Sequence, residues 1–253
     1  MHRCYLPVPD LTEGPLLVEG EEAHHALRVL RMRAGEECEV FNGFGQAVRA
    51  RITYTSGSHM QLEVLEELPL LPSVAGITLA FAIPKGTLVD LIVQKAVELG
   101  AQRIIPLITE RTIVRITPQE APAKAEKWRR TVLEACKQCG VRDLPVLEEP
   151  QPYAAFLQRA DVPTLRVQCA LVPHARPLRE VLEPARAAGC REVILLIGPE
   201  GDFSPAEYAA AEAAGYAPAS LGPIVLRVET ACFHALAAAR YALDEGRSSK
   251  DEV

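Results

Sequence analysis

The chain of 253 residues has no run of eighteen apolar residues, and its N-terminus, MHRCYLPVPD, has no apolar leader core. These absences predict a soluble protein retained in the cytoplasm. The G-x-G-x-x-G of dinucleotide binding is missing after the first predicted strand of the α/β region, and so is the Walker A loop, which disfavours an ordinary dehydrogenase or P-loop enzyme. No G-x-S-x-G occurs, so the elbow of a serine hydrolase is absent as well. Internal repeats and low-complexity tracts are also lacking. The seven cysteines are odd in number and scattered, and Cys136 and Cys139 form a lone C-x-x-C without a second pair or a histidine partner. They read as core thiols in a reducing compartment, and no metal is expected.

What is there is a globular composition, 49% hydrophobic and 24% charged, with room for one large or two modest domains. The net charge of −6 argues against a nucleic-acid partner, because phosphate binding is driven by Lys and Arg. The charge is uneven, however. Six basic residues (Lys124, Lys127, Arg129, Arg130, Lys137, Arg142) stand against Glu126 and Glu134 in one stretch. Glu21 to Met32 predicts a helix with Ala23, Leu27 and Leu30 as its apolar stripe, and His24, Arg28 and Arg31 share that spacing one position along. A solvated face balanced by Glu21 and Glu22 and a row of phosphate contacts both fit this edge.

Glu37 to Phe41, Ala47 to Tyr54 and His59 to Leu65 alternate and are separated by Asn42-Gly43-Phe44-Gly45 and Thr55-Ser56-Gly57-Ser58, which predicts hairpins in a small β-rich domain over 1–70. Pro69 to Pro72 reads as its exit linker. From there β and α alternate: strands over 77–83, 103–107 and 166–172, helices over 87–99, 123–139 and 178–188. That order predicts a parallel sheet covered on both faces.

The most informative stretch is 193–239. Val193 to Ile197 is a five-residue apolar run and reads as a buried parallel strand that stops at Gly198. Ser204-Pro205-Ala206-Glu207 then supplies an N-cap, a proline at the first helical position and a capping-box glutamate. Such a strand-loop-helix turn lies where α/β sheets place ligands, although a plain connecting turn has the same appearance. Leu221-Gly222-Pro223-Ile224-Val225-Leu226 is a second apolar segment broken by glycine, and an Ala- and Leu-rich helix is predicted from Thr230 to Leu243. A side chain at Gly222 is expected to fill the approach to a ligand.

Several separated segments carry a family resemblance: HHALRVLRMRAGEECEVFNGFG from His24, KGTLVDLIVQKAVELGAQRIIPLITERT from Lys85, WRRTVLEACKQCG from Trp128, LLIGPEGDFSPAE from Leu195 and LGPIVLRVETA from Leu221. In this order the chain resembles the ribosomal RNA small subunit methyltransferase E (RsmE) family, of the knotted SPOUT class. The resemblance implies an N-terminal PUA-like β-barrel that holds RNA (1–70) and a SPOUT α/β domain with a parallel sheet and a deep trefoil knot (73–253). It implies a cytoplasmic homodimer that uses S-adenosylmethionine to methylate N3 of a uridine in 16S rRNA, position 1498 in conventional numbering, with 16S rRNA or the small ribosomal subunit as partner.

The cofactor positions it implies are Leu171, Val172, Gly198, Pro199, Glu200, Gly201, Leu221, Gly222, Leu226, Val228 and Thr230. Arg227 is the leading candidate for stabilising a uridine anion, with Glu200 or Glu229 as proton acceptor or orienting group; a plain ion pair among these three is the alternative. The RNA candidates are Arg3, His24, Arg28, Arg31, Lys85, Lys95, Arg111, Gln138 and Arg142. The chain departs from the family pattern at Asp202, where a second glycine is usual, at Ile224, where arginine is frequent, at Val228, where threonine is common, and at Val141. The departures at Asp202 and Ile224 keep a non-catalytic RNA-binding assembly factor open as a rival, and a small-nucleotide α/β enzyme is a second.

Overall fold

The three alternating segments near the N-terminus form antiparallel neighbours, Glu37–Phe41 with Ala47–Ser56 and that strand with His59–Glu67. Their pleat points Val40, Val48, Ala50, Ile52, Met60 and Leu62 into one core. The computed structural model describes residues 1–57, 59–72 and 74–244. Ser58 of the predicted turn, Ser73 at the expected start of the second domain and residues 245–253 at its end lie outside the described residues.

Two strands of four residues each, His2–Tyr5 and Leu16–Glu19, extend this sheet at its two sides. The first runs parallel to Glu37–Phe41 and the second antiparallel to His59–Glu67. Both are too short for alternation to be read in the sequence.

The helix expected over Glu21 to Met32 is shorter and irregular. Gly20–His24 is α-helical, His25–Val29 is a π-turn, and Arg31 has a φ of 58°. The Leu30 N–H donates to His25 O and the Met32 N–H to Ala26 O, both at 3.0 Å. These wide closures keep Ala23, Ala26 and Met32 all in the core, which a regular helix would not do. Arg31 therefore leaves the cationic edge that helical spacing assigned to it beside His24 and Arg28.

Packing divides the described chain into two units, and Cys136–Leu144 belongs to the first despite its place in sequence. The reason is a buried carboxylate. Glu39, 5% exposed, receives Arg142 Nε on Oε1 at 3.2 Å and Arg3 Nε near Oε2 at 3.3 Å. Arg142 also donates to Pro69 O at 2.6 Å and Arg3 to Lys137 O at 3.2 Å, while Lys137 pairs with Glu22. Cys136 is buried and its thiol is pushed up to about 12 by desolvation, but Cys139 is exposed, so only one of the pair is a core cysteine.

The second unit is the expected parallel sheet. Its strand order is Arg176–Pro177, Ala217–Ser220, Leu165–Cys169, Glu192–Ile197, Gly76–Ala82, Ala101–Ile108 and Val146–Leu147, with Gln151–Pro152 also paired to Ala101–Ile108. Glu192–Ile197 lies between two parallel neighbours and its Val193 to Ile197 run is buried, the cause of the unbroken apolar sequence. The last helix, Val228–Asp244, packs on strands Gly76–Ala82 and Glu192–Ile197 and on helices Leu88–Glu98 and Leu178–Ala187. Among the described residues no helix is long and apolar enough to cross a membrane.

Candidate active site

Leu165–Cys169 and Glu192–Ile197 are parallel and in register through Gln168 and Leu196, so their carboxyl ends open side by side. Past the second of them the chain makes a tight loop in which the Asp202 N–H donates to Pro199 O at 2.9 Å. Ser204 ends the loop by capping Pro205–Ala213, and both halves of the capping box form: Ser204 Oγ accepts the Glu207 N–H and Glu207 Oε2 accepts the Ser204 N–H. Glu207 Oε1 also accepts the Glu110 N–H at 2.8 Å, and Arg111 donates to Gly201 O at 2.7 Å. The loop is thus braced from the Ala101–Ile108 side of the sheet.

The Leu221–Leu226 segment joins no strand and lies across these strand ends. Together they enclose a cavity of about 280 Å³. Its wall comes from Cys169, Ala170 and Leu171, from Ile197 to Glu200 with Asp202, and from Leu221, Gly222, Ile224 to Val228 and Ala231. Eight of the expected cofactor residues line it: Leu171, Gly198, Pro199, Glu200, Leu221, Gly222, Leu226 and Val228. Three do not. Val172 turns toward the aromatic cluster around Phe203, Gly201 faces the Arg111 stem, and Thr230 is exposed in the first turn of the last helix. Asp202, Ile224 and Val225 line the wall without having been assigned to it, and the latter two are 68% and 78% exposed.

The glycines serve different ends. An added Cβ on Gly198 would meet two ring carbons of Phe203 at 3.0 and 3.1 Å. Phe203 cannot yield, being 2% exposed and packed against the Tyr153 and Tyr208 rings with centroids 5.4 and 5.5 Å away. Gly198 is thus required by the protein's own core. Gly198→Ala is expected to cost about 1–3 kcal/mol by overpacking, read as a lower denaturation midpoint of the purified protein.

The polar groups of the wall are Glu200, Asp202 and Arg227. Glu200 Oε1 accepts the Lys85 N–H at 2.9 Å. Arg227 is exposed, and among the described residues no ion pair joins it to Glu200 or Glu229. Glu229 is half-buried in the first turn of the last helix, off the cavity wall, where its charge suits the helix N-terminus. Burial pushes the Cys169 thiol up to about 12, so it stays a neutral wall group. Asp202 has a φ of 61°, a conformation usually left to glycine, and its Oδ1 accepts the Phe203 N–H at 2.8 Å and the Tyr208 hydroxyl at 2.6 Å.

The RNA candidates are dispersed. In the first unit His24, Arg28, Arg31 and Gln138 are exposed, whereas Arg3 and Arg142 are engaged with Glu39. In the second, Lys85 and Arg111 both contact the Gly198–Phe203 loop, and Lys95 pairs with Glu98 on its own helix at 2.7 Å. Of the six-cation cluster, Lys127 pairs with Asp90, Arg129 with Glu126, Lys137 with Glu22 and Arg142 with Glu39. Among the described residues no group of His, Cys, Asp and Glu could hold a metal ion.

An apolar slot with the Glu200 carboxylate and an arginine, the Asp202 carboxylate being taken up by Phe203 and Tyr208, suits a ligand that has a flat apolar part and a cationic part. The sequence profile of the RNA methyltransferase domain matches residues 72–240, and that of the RNA methyltransferase PUA domain matches 18–65. The ribosomal RNA small subunit methyltransferase E of Synechocystis is 32% identical over 238 residues, 93% of this chain and 76% of that protein. The Bacillus subtilis protein of that name is 27% identical and covers 91% of this chain and 92% of its own length. A solved ribosomal RNA small subunit methyltransferase E from Neisseria gonorrhoeae, bound to S-adenosyl methionine, superposes with a TM-score of 0.83 at 31% identity over 94% of this chain and 96% of that one. A Legionella pneumophila protein solved in complex with the bound cofactor SAM gives a TM-score of 0.86 at 33% identity, covering 95% of this chain and 97% of that one.

Proposed function

Because the chain belongs to the ribosomal RNA small subunit methyltransferase E family, we propose that it methylates N3 of a uridine in 16S rRNA, with S-adenosylmethionine held in the cavity at the strand ends. Methylation of ribosomal RNA with this cofactor goes with the family; the uridine, its N3 atom and the residue roles are our reading. The observation that carries it is the wall itself, which sets Arg227 and Glu200 beside an apolar slot.

When bound, the cofactor supplies an electrophilic methyl group on a cationic sulfur. The chain has to place the acceptor nitrogen in line with that methyl and to handle one proton. Uridine N3 carries an imide proton and attacks only as it is lost, which leaves negative charge on O2 and O4. Arg227, exposed and without a carboxylate partner in the cavity, is the group to stabilise that anion. Glu200, fixed through the Lys85 N–H, is the proton acceptor or orienting group, and Glu229 has the weaker claim because it lies off the wall. Leu171, Leu221, Leu226 and Val228 would pack on the adenine while the Gly198–Glu200 and Leu221–Gly222 backbones read its edge.

For RNA we assign residues 1–70 as a PUA-like barrel contributing His24, Arg28 and Arg31, and 73–253 as the SPOUT domain contributing Lys85 and Arg111. The trefoil knot is supported by the last helix, which returns to pack on Gly76–Ala82 and Leu88–Glu98, where the domain begins. A cytoplasmic homodimer completes the proposal. Nucleoside mass spectrometry of 16S rRNA from a deletion strain tests it: N3-methyluridine is expected to vanish and to return with the wild-type gene. Undiminished N3-methyluridine would refute the substrate, and a phenotype without any loss of methylation would favour the assembly-factor reading.

A further inference from the structure

Tyr208 is 7% exposed and sits one turn after the N-cap Ser204, with its ring edge-on to Phe203 in the core. Its hydroxyl does something that packing does not require. It accepts the Leu171 N–H at 3.3 Å and donates to Asp202 Oδ1 at 2.6 Å. Leu171 and Asp202 belong to the loops that follow two adjacent strands, and both line the cavity. Ladder pairing on the Leu171 side ends with the Ala170 N–H on Ala219 O at 2.8 Å, so Leu171 is the first residue held by a side chain instead of the sheet. On the other lip Oδ1 of Asp202 takes the Phe203 N–H as well, which stabilises a backbone with a φ of 61°.

We propose that the Tyr208 hydroxyl is a positioning group that ties the two lips of the cavity together through Leu171 and Asp202 and so sets its affinity for S-adenosylmethionine. The inference rests on the assignment of this cavity to that cofactor. It also gives a reason for an aspartate at a glycine-like position: the carboxylate supplies the acceptor that the tyrosine needs. Burial and the Asp202 bond both raise the phenol above its ordinary range, which keeps it a donor at neutral pH. Without the hydroxyl the ring still packs, but Leu171 and Asp202 lose their common partner and the cofactor must order them on binding.

Four proteins test this: wild type, Tyr208→Phe, Asp202→Gly and the double variant, with S-adenosylmethionine titrated by calorimetry and methyl transfer assayed on small subunits. Tyr208→Phe is expected to weaken binding about five- to tenfold and to raise the cofactor KM alike, with kcat nearly unchanged. Its thermal midpoint should fall by no more than about 4 °C. Asp202→Gly keeps the backbone conformation and removes the acceptor, so the double variant should bind within about twofold of Tyr208→Phe instead of showing the product of both losses. The exposed His174–Glu212 pair, 3.0 Å apart, joins the same loop to the same helix and serves as control: His174→Ala should leave affinity unchanged. Tyr208→Phe binding within twofold of wild type would overturn the inference, as would independent, multiplicative losses in the double variant. Absence of binding by the wild type would instead overturn the cofactor assignment beneath it.

Discussion

Replacing Gly222 with valine is expected to weaken S-adenosylmethionine binding on the order of a hundredfold while leaving the thermal midpoint nearly unchanged. The sequence suggests that a side chain there fills the approach to the ligand. The structure gives a different cause. An added Cβ at Gly222 meets nothing within 4 Å, but the residue has a φ of 125°. A β-branched residue is strongly strained in that region, by about 3 kcal/mol, so the loop would shift to relieve it. The shift would carry Leu221 and Leu226 off the cavity wall, and because the segment is largely exposed little of the core would be lost. Gly222→Ala should weaken binding less than valine does, since it lacks the branched Cβ. Calorimetry and thermal melts on the same samples check both halves; unchanged affinity in the valine variant would mean that the second loop does not hold the cofactor.

The second large effect is on stability. Arg240→Ala is expected to cost about 3 kcal/mol and to lower the midpoint of the second unit by about 6–12 °C. Composition places Arg240 near the end of its own helix, where positive charge is tolerated. In the structure its guanidinium caps a different helix, donating to Gly100 O and to Leu99 O at the end of Leu88–Glu98, and to Ala75 O at 3.2 Å. Asp244 Oδ2 holds it at 2.8 Å, and Asp244 Oδ1 accepts the Ala75 N–H at 2.8 Å. Alanine would leave carbonyls at two chain turns without their donor. Arg240→Lys supplies one point donor in place of the fork and should recover less than half of the loss. Thermal denaturation followed by circular dichroism reads both; a midpoint within 2 °C of wild type for alanine would contradict the capping role.

Arg240 also marks the limit of what could be read from sequence. Local signals transferred well: the Val193–Ile197 run became a central parallel strand, Ser204-Pro205-Ala206-Glu207 became a complete capping box, and the three alternating segments became paired strands. Each depends on neighbours along the chain. What stayed hidden depends on partners far away in sequence. Nothing around Glu39 announces that Arg3 and Arg142 will converge on it and draw Cys136–Leu144 into the first unit. Nothing around Tyr208 announces Leu171.

The same division applies to the candidate site. Eight of the residues that the family resemblance implies for the cofactor line one cavity, because a strand end followed by a tight loop opens on the ligand side of such a sheet. Asp202 stood out in the sequence as a departure from the family's usual second glycine. In the structure that carboxylate is occupied by the Phe203 N–H and the Tyr208 hydroxyl. The basic clusters were harder to interpret. In a chain with a net charge of −6, acidic partners are plentiful, and four of the six cations between Lys124 and Arg142 have one.

The central claim is that this cavity brings S-adenosylmethionine to N3 of a uridine in 16S rRNA. The most direct measurement incubates the purified protein and S-adenosylmethionine carrying a deuterated methyl group with small subunits from a strain lacking the enzyme, followed by nucleoside mass spectrometry of the 16S rRNA. A single labelled nucleoside, N3-methyluridine, is expected, with Arg227→Ala slowing its appearance by at least about tenfold while still binding the cofactor. Label in a different nucleoside, or none in the presence of demonstrated cofactor binding, would contradict it.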